Sequence, residues 1–130
     1  MKKRHVNPKD HYSLAPASHA VCCGDTIYVT GQCALDNDLN VLHPGDLAKQ
    51  TAIAMDNVRK VLAACGAGLD DIVKLTTFYV SGGAREDWEL SVRERFRHFS
   101  GPGPASTGIP VPTLAIPGLM IEIEAIAAVD

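Results

Sequence analysis

The sequence predicts an α+β chain, a mixed β-sheet with two helices on one face. Three observations carry that expectation. Met120–Ala127 reads with a period of two, which in a strand sends Ile121, Ile123 and Ala125 to one face and Glu122 and Glu124 to the other. Segments 46–65 and 84–99 instead place apolar residues at three- and four-residue steps, the spacing of a helix with one buried stripe. Short β-branched runs bounded by Gly, Pro and Asp lie around them. Helices on a single face leave the other face of the sheet uncovered, so self-association into a homo-oligomer is expected.

Taken in order, residues 1–14 are polar, with Pro8 and Lys9-Asp10-His11, and are expected to form a flexible arm that orders only against the body or a neighbour. Ser18–Cys22 and Thr26–Thr30 are short strands joined by a turn at Gly24-Asp25. Gly31-Gln32 then interrupts the run, where a glycine indicates a bulge or a close approach by ligand or backbone. Asp36-Asn37-Asp38 is a loop tip. Asp46–Cys65 is a helix whose buried stripe is Leu47, Thr51, Met55, Val58, Leu62 and Cys65, with Asp46 to cap its start and Gly66 just past its end.

Ile72–Val80 is rich in β-branched and aromatic residues and reads as a strand closed by Ser81-Gly82-Gly83. Ala84–Phe99 reads as the second helix, with Trp88, Val92, Phe96 and Phe99 on one face and Arg93, Glu94 and Arg97 on a solvated one. Ser100–Pro104 holds too much glycine and proline for regular structure, and Ala105–Val111 and Leu119–Ala127 supply the last strands. With no internal repeat and no boundary, residues 1–130 are expected to form a single domain.

Composition excludes several function classes. A formal charge of −3 argues against a nucleic-acid binder driven by phosphate neutralisation. No apolar run reaches signal-peptide or membrane-span length, so a soluble, cytoplasmic protein is expected. Cys22, Cys23, Cys33 and Cys65 form no Cys-x-x-Cys pair and are expected to be reduced thiols acting as small hydrophobes. The five histidines show no zinc-ligand spacing, and neither a metal nor another cofactor is expected.

Separate short segments in a fixed order are more specific than any one alone. They are Pro16-Ala17-Ser18-His19-Ala20-Val21, Gly24-Asp25 with Val29-Thr30-Gly31-Gln32, Gln50 with Asn57-Val58, Asp71-Ile72-Val73-Lys74 and Asp87-Trp88. Pro104-Ala105-Ser106-Thr107 and the final strand complete the set. From about Ala15 to Ala127 the chain thus resembles the RidA/YjgF family of small imine and enamine deaminases. The resemblance implies a chorismate-mutase-like fold. It also implies a homotrimer with a barrel-like core and a small-molecule ligand cleft at each subunit interface.

The same resemblance implies site residues. Glu122 matches the family's cleft glutamate, a positioner or activator of water, while Glu124 is equally consistent with an interface role. Thr30 and Gly31 would offer a hydroxyl and backbone groups to the ligand, and Ser106 and Thr107 would bring two hydroxyls. Three positions depart from the family pattern. Ser106 stands where an arginine usually holds the substrate carboxylate, Ala17 where a tyrosine is frequent, and Val92 where an asparagine is common. An arginine fork suits a carboxylate, so its loss implies a divergent substrate, larger or differently charged than 2-aminoacrylate, with an aminomuconate as one example. The other reading is a metabolite-binding or regulatory trimer without turnover. A ribonuclease is disfavoured by the acidic charge. A Ser106–His19 nucleophile pair, a reactive Cys33 and an arginine from Arg93, Arg95 or Arg97 reaching a cleft are weaker options, the arginines reading first as surface ion-pair partners.

Overall fold

A computed structural model describes residues 2–130. The elements run β1 (Lys3–Val6), β2 (Ala20–Cys23), β3 (Thr26–Gln32), α1 (Leu47–Ala64), a short 3-10 turn (Leu69–Asp71), β4 (Ile72–Val80), α2 (Arg85–Phe96), β5 (Ala105–Val111) and β6 (Ile121–Ala128). The strands form a six-stranded sheet in the order β1-β2-β3-β6-β4-β5. Among the described residues only β4 and β5 run parallel, because α2 carries the chain back over the sheet between them, as a parallel connection requires. The expected mixed sheet with its helices on one face is the architecture found.

The α1 helix begins where Asp46 accepts a hydrogen bond from the Lys49 amide at 3.0 Å, satisfying one of the amides that a helix start leaves free. It ends where Gly66 adopts φ +80°, a left-handed turn that glycine takes without strain. Met55, Val58 and Leu62 are wholly buried, in one cluster with Leu75 of β4 and Ile121 and Ile123 of β6. The period-two pattern of β6 thus does what it predicts: its apolar set is buried, Glu124 is exposed and Glu122 is half-buried on the opposite face.

Three expectations are corrected. The N-terminal arm is built into the sheet rather than flexible: β1 pairs antiparallel with β2, from Lys3 opposite Cys23 to Val6 opposite Ala20, and Tyr12 is buried. The open edge of β2 supplies hydrogen bonds that the polar sequence of β1 does not announce. Met1 lies outside the described residues. The second helix stops at Phe96, so Phe99 falls in the following turn. Its buried residues are Ser91 and Arg95, not the predicted apolar face, and Trp88 is 43% exposed. The strand beneath offers small and polar groups rather than an apolar floor: both Trp88 and Arg95 approach Gly108 of β5.

Among the described residues no cysteine is joined in a disulfide, and Cys22 is buried and Cys23 half-buried on opposite faces of β2. No helix among the described residues is long and apolar enough to cross a membrane. Since Leu62 is buried completely, Leu62→Ala should lose about 2–5 kcal/mol of unfolding free energy, the usual range for an interior leucine. Urea titrations at one fixed protein concentration measure it, and a loss near zero would show that the α1 stripe does not support the core.

Candidate active site

Glu122 is held by two neighbours. The Cys33 thiol donates to its Oε1 at 3.3 Å. On β3, a Cβ at Gly31 would lie 2.7 Å from the Glu122 Cγ and 2.8 Å from its Oε2, so the carboxylate occupies the room a side chain would take. The β3–β6 register shifts between Val29 and Gln32, the bulge the glycine predicted. Burial, and then the adjacent Glu122 charge, push the Cys33 thiol well above its ordinary value. Cys33 is therefore a neutral donor to the carboxylate, and the option of a reactive thiol is not supported.

Behind the bulge lies a polar network. Gln32, fully buried, donates its amide to the Thr30 carbonyl at 2.9 Å and shares a 3.0 Å hydrogen bond with His19 Nδ1. Its Oε1 accepts from the Tyr12 hydroxyl at 3.2 Å and lies 2.9 Å from His11 Nε2. His19 Nε2 sits 2.6 Å from the Tyr12 carbonyl, and the Tyr12 hydroxyl accepts from the Cys33 amide at 3.1 Å. With both Gln32 donors and its acceptor so placed, His19 carries its proton on Nε2 and accepts at Nδ1, and His11 donates from Nε2. Every polar atom of the Gln32 side chain is thereby used. From α1, Asn57 donates to the Cys33 carbonyl at 2.8 Å and fixes the strand past the bulge.

The other predicted residues divide between two places. Thr30 spends its hydroxyl on the Ser18 carbonyl at 2.6 Å, so it braces the strand beside Gly31. Ala17 is exposed on the wall of a cleft of about 200 Å³ that His11, Tyr12 and His19 also line. Val92 is half-buried on α2. Ser106 accepts from Arg95 Nη1 at 2.9 Å, on the helix side of β5, whereas Thr107 accepts from Lys74 Nζ at 2.6 Å on the opposite side. Successive strand residues point to opposite faces, so the two hydroxyls do not share one pocket as the sequence suggested.

His19 has both ring nitrogens engaged and lies in the Gln32 network, and Ser106 bonds Arg95, so no Ser106–His19 pair exists. Arg97 does pair with Glu94 at 3.0 Å, but Arg95 is 1% exposed rather than a surface residue. The burial of Arg95, which the sequence offers first as a surface ion-pair partner, and the Gln32–Tyr12–His11 network are the parts that sequence reasoning passed over. The available signal for Arg95 was its position four residues after Ser91, one helical turn away.

Residues 8–129 match the family described as Endoribonuclease L-PSP. A RutC family protein of Pyrococcus abyssi is 30% identical over 114 residues, covering 88% of this chain and 87% of the relative. The mouse protein 2-iminobutanoate/2-iminopropanoate deaminase is 33% identical over 116 residues, covering 88% of this chain and 82% of its own length. The crystal structure of the Rid family protein YyfA of Yersinia pestis superimposes with a TM-score of 0.86 at 28% identity, over 98% of this chain and 100% of the other.

The network accepts neutral imidazoles, since burial lowers both His11 and His19 below the ordinary 6.5. A depressed folded value contributes stability that is complete above 6.5 and is lost as pH falls from there through the folded value. Urea midpoints should therefore drop as pH is lowered from about 7.5 to about 5.5. His19→Gln should flatten that drop, leaving the part due to His11 and to His98, which burial also lowers. An unchanged slope in the variant would mean that His19 takes up its proton without disturbing the network.

Proposed function

We propose a function from one premise: this chain belongs to the Endoribonuclease L-PSP family, the RidA/YjgF proteins. It is a small-molecule deaminase of the cytoplasm that hydrolyses an enamine, imine or related C–N bond. The observation that supports this is the setting of Glu122. Its carboxylate is pinned by a neutral thiol on one oxygen and lies over the side-chain-free notch of Gly31. A carboxylate so held can orient a water and take its proton as the water oxygen bonds to the imine carbon. That proton passes to the nitrogen to give a carbinolamine. Its hydroxyl then loses its own proton, which Glu122 relays to the departing nitrogen as the C–N bond breaks, and ammonia and a carbonyl compound leave. The Thr30 and Gly31 backbone borders this point, and Ala17 and Val92 widen the cleft relative to the tyrosine and asparagine that the family resemblance implies.

The working assembly is a homotrimer whose sheets join in a barrel-like core, with a ligand cleft between copies. Two features favour it. The sheet face opposite the helices leaves Tyr28 51% and Ile109 37% exposed. Glu122 and Ser106 belong to opposite faces of one sheet, so a ligand that touches both reaches across from one copy to another. The mouse relative is named for short imino acids. Here the altered cleft favours a larger or differently arranged substrate, of which an aminomuconate is one example.

The test is a coupled assay in which an amino-acid oxidase generates imines in situ, first of short aliphatic and then of larger dicarboxylic acids. The purified protein should accelerate their decay to the keto product. Glu122→Gln should lower kcat/KM by about 10²–10⁴-fold, the span of a lost acid–base group. Gly31→Ala should act in the same direction, because its methyl would displace the carboxylate. Turnover indifferent to both variants would remove Glu122 from the mechanism. Saturable binding with no turnover of any imine would instead leave a metabolite-binding trimer.

A further inference from the structure

Arg95 is 1% exposed, yet its hydrogen-bond partners are all neutral. Its Nε donates to the Ser91 carbonyl at 3.2 Å and to the Ser91 hydroxyl at 3.1 Å, its Nη1 donates to the Ser106 hydroxyl at 2.9 Å, and its guanidinium carbon stands 5.6 Å from the centre of the Phe96 ring. Among the described residues no carboxylate comes within ion-pair distance of it. Burying a cation without an anion is costly, and hydrogen bonds to neutral oxygens offset only part of that cost.

The surroundings of Nη2 are those of an incomplete site. Gly108 of β5 leaves methyl-sized room there: a Cβ at Gly108 would lie in ordinary contact, 3.7 Å from Arg95 Nη2 and 3.7 Å from the Trp88 indole nitrogen. Two N–H donors thus flank one small space. Thr77, paired in register with Gly108, adds a second and independent sign, for its hydroxyl oxygen is buried with no hydrogen-bond partner among the described residues. Ser106 is exposed where Arg95 is covered. Its oxygen already accepts from the guanidinium, which leaves the hydroxyl proton to donate outward. A hydroxyl polarised by a buried cation is a strong donor to an incoming anion.

We propose that Arg95, acting through Ser106 and beside Gly108, is the carboxylate-binding group of this protein, approached from α2 instead of from the strand. The inference rests on the deaminase reading above for the nature of the ligand, an α-imino or α-keto acid. It explains why an arginine can be absent from position 106 without the cleft losing its positive charge. A serine there leaves room for the guanidinium to approach from the helix, and the anion is met by a neutral hydroxyl in front of a buried cation.

The probe is 2-oxobutanoate, with its amide as the uncharged control, titrated calorimetrically into the full protein. The wild type should bind the acid and prefer it to the amide by tenfold or more. Arg95→Met should abolish that preference while the melting temperature stays level or rises, since an uncompensated buried charge has been replaced by an apolar chain. Ser106→Ala should weaken the acid several-fold and leave the amide unchanged. Arg95→Lys, which keeps the charge without the fork, should retain part of the preference and serves where the methionine variant does not fold. A wild type that does not distinguish acid from amide overturns the proposal, as does Arg95→Met with a lowered melting temperature and undiminished preference. Failure of the deaminase reading looks different: no imine is turned over, yet the acid is still bound in an Arg95-dependent way.

Discussion

Gly31 carries no side chain, and the Glu122 carboxylate fills the volume one would occupy. That close approach couples two strands which would otherwise run in simple register. To admit it, β3 slips against β6 between Val29 and Gln32, and the slip sends Gln32 into the interior while Cys33 turns to the carboxylate. Buried Gln32 must then satisfy four hydrogen-bonding positions, and it does so by drawing in Tyr12, His11 and His19. The order of the N-terminal segment around Tyr12 is in this sense a consequence of a missing methyl group some twenty residues downstream. A buried polar network of this kind is useful only when every member is satisfied, which gives the fold one well-defined arrangement around the bulge.

Two carboxylates on β6 illustrate how environment separates chemically identical groups. Glu124 is exposed, whereas Glu122 is half-buried and bonded to a thiol. The strand's period assigns both to one face, and only their neighbours on β3 and β4 make them different. The same holds for the arginines of α2. Arg97 meets Glu94 at the surface, an arrangement that contributes little to stability, while Arg95 is enclosed by serines and an aromatic ring. Charge placement here follows the strand or helix beneath each residue more than its own identity.

Much of the fold was legible because its signals are local. The helix from Leu47 to Ala64 announces itself by a stripe and by both ends, and β4 and β5 were bounded to the residue by their composition and by flanking glycine and proline. Glu122, Gly31 and the bulge were legible too, through alternation and an interrupted strand. What escaped depended on partners distant in sequence. Lys3–Val6 is a strand because β2 presents an open edge, not because of its own residues. Helical periodicity presumes an apolar floor under α2, and the floor at Gly108 is neither bulky nor apolar. Adjacency in sequence hides the alternation across the sheet that parts Ser106 from Thr107.

The sheet order has a consequence for how the molecule is made. β6 follows every other element along the chain, yet it lies in the middle of the sheet, between β3 and β4. Until it has emerged from the ribosome, the two parts of the sheet have only α1 and the turn after it to hold them, with their inner edges unpaired and open to other chains. The sheet therefore closes in a late, long-range step of the kind that slows folding and exposes intermediates to aggregation. The strand that completes the sheet is also the one that carries Glu122. A nascent chain halted before β6 is at once without the centre of its sheet and without Glu122, so an unfinished copy has neither the closed sheet nor the carboxylate beneath Gly31.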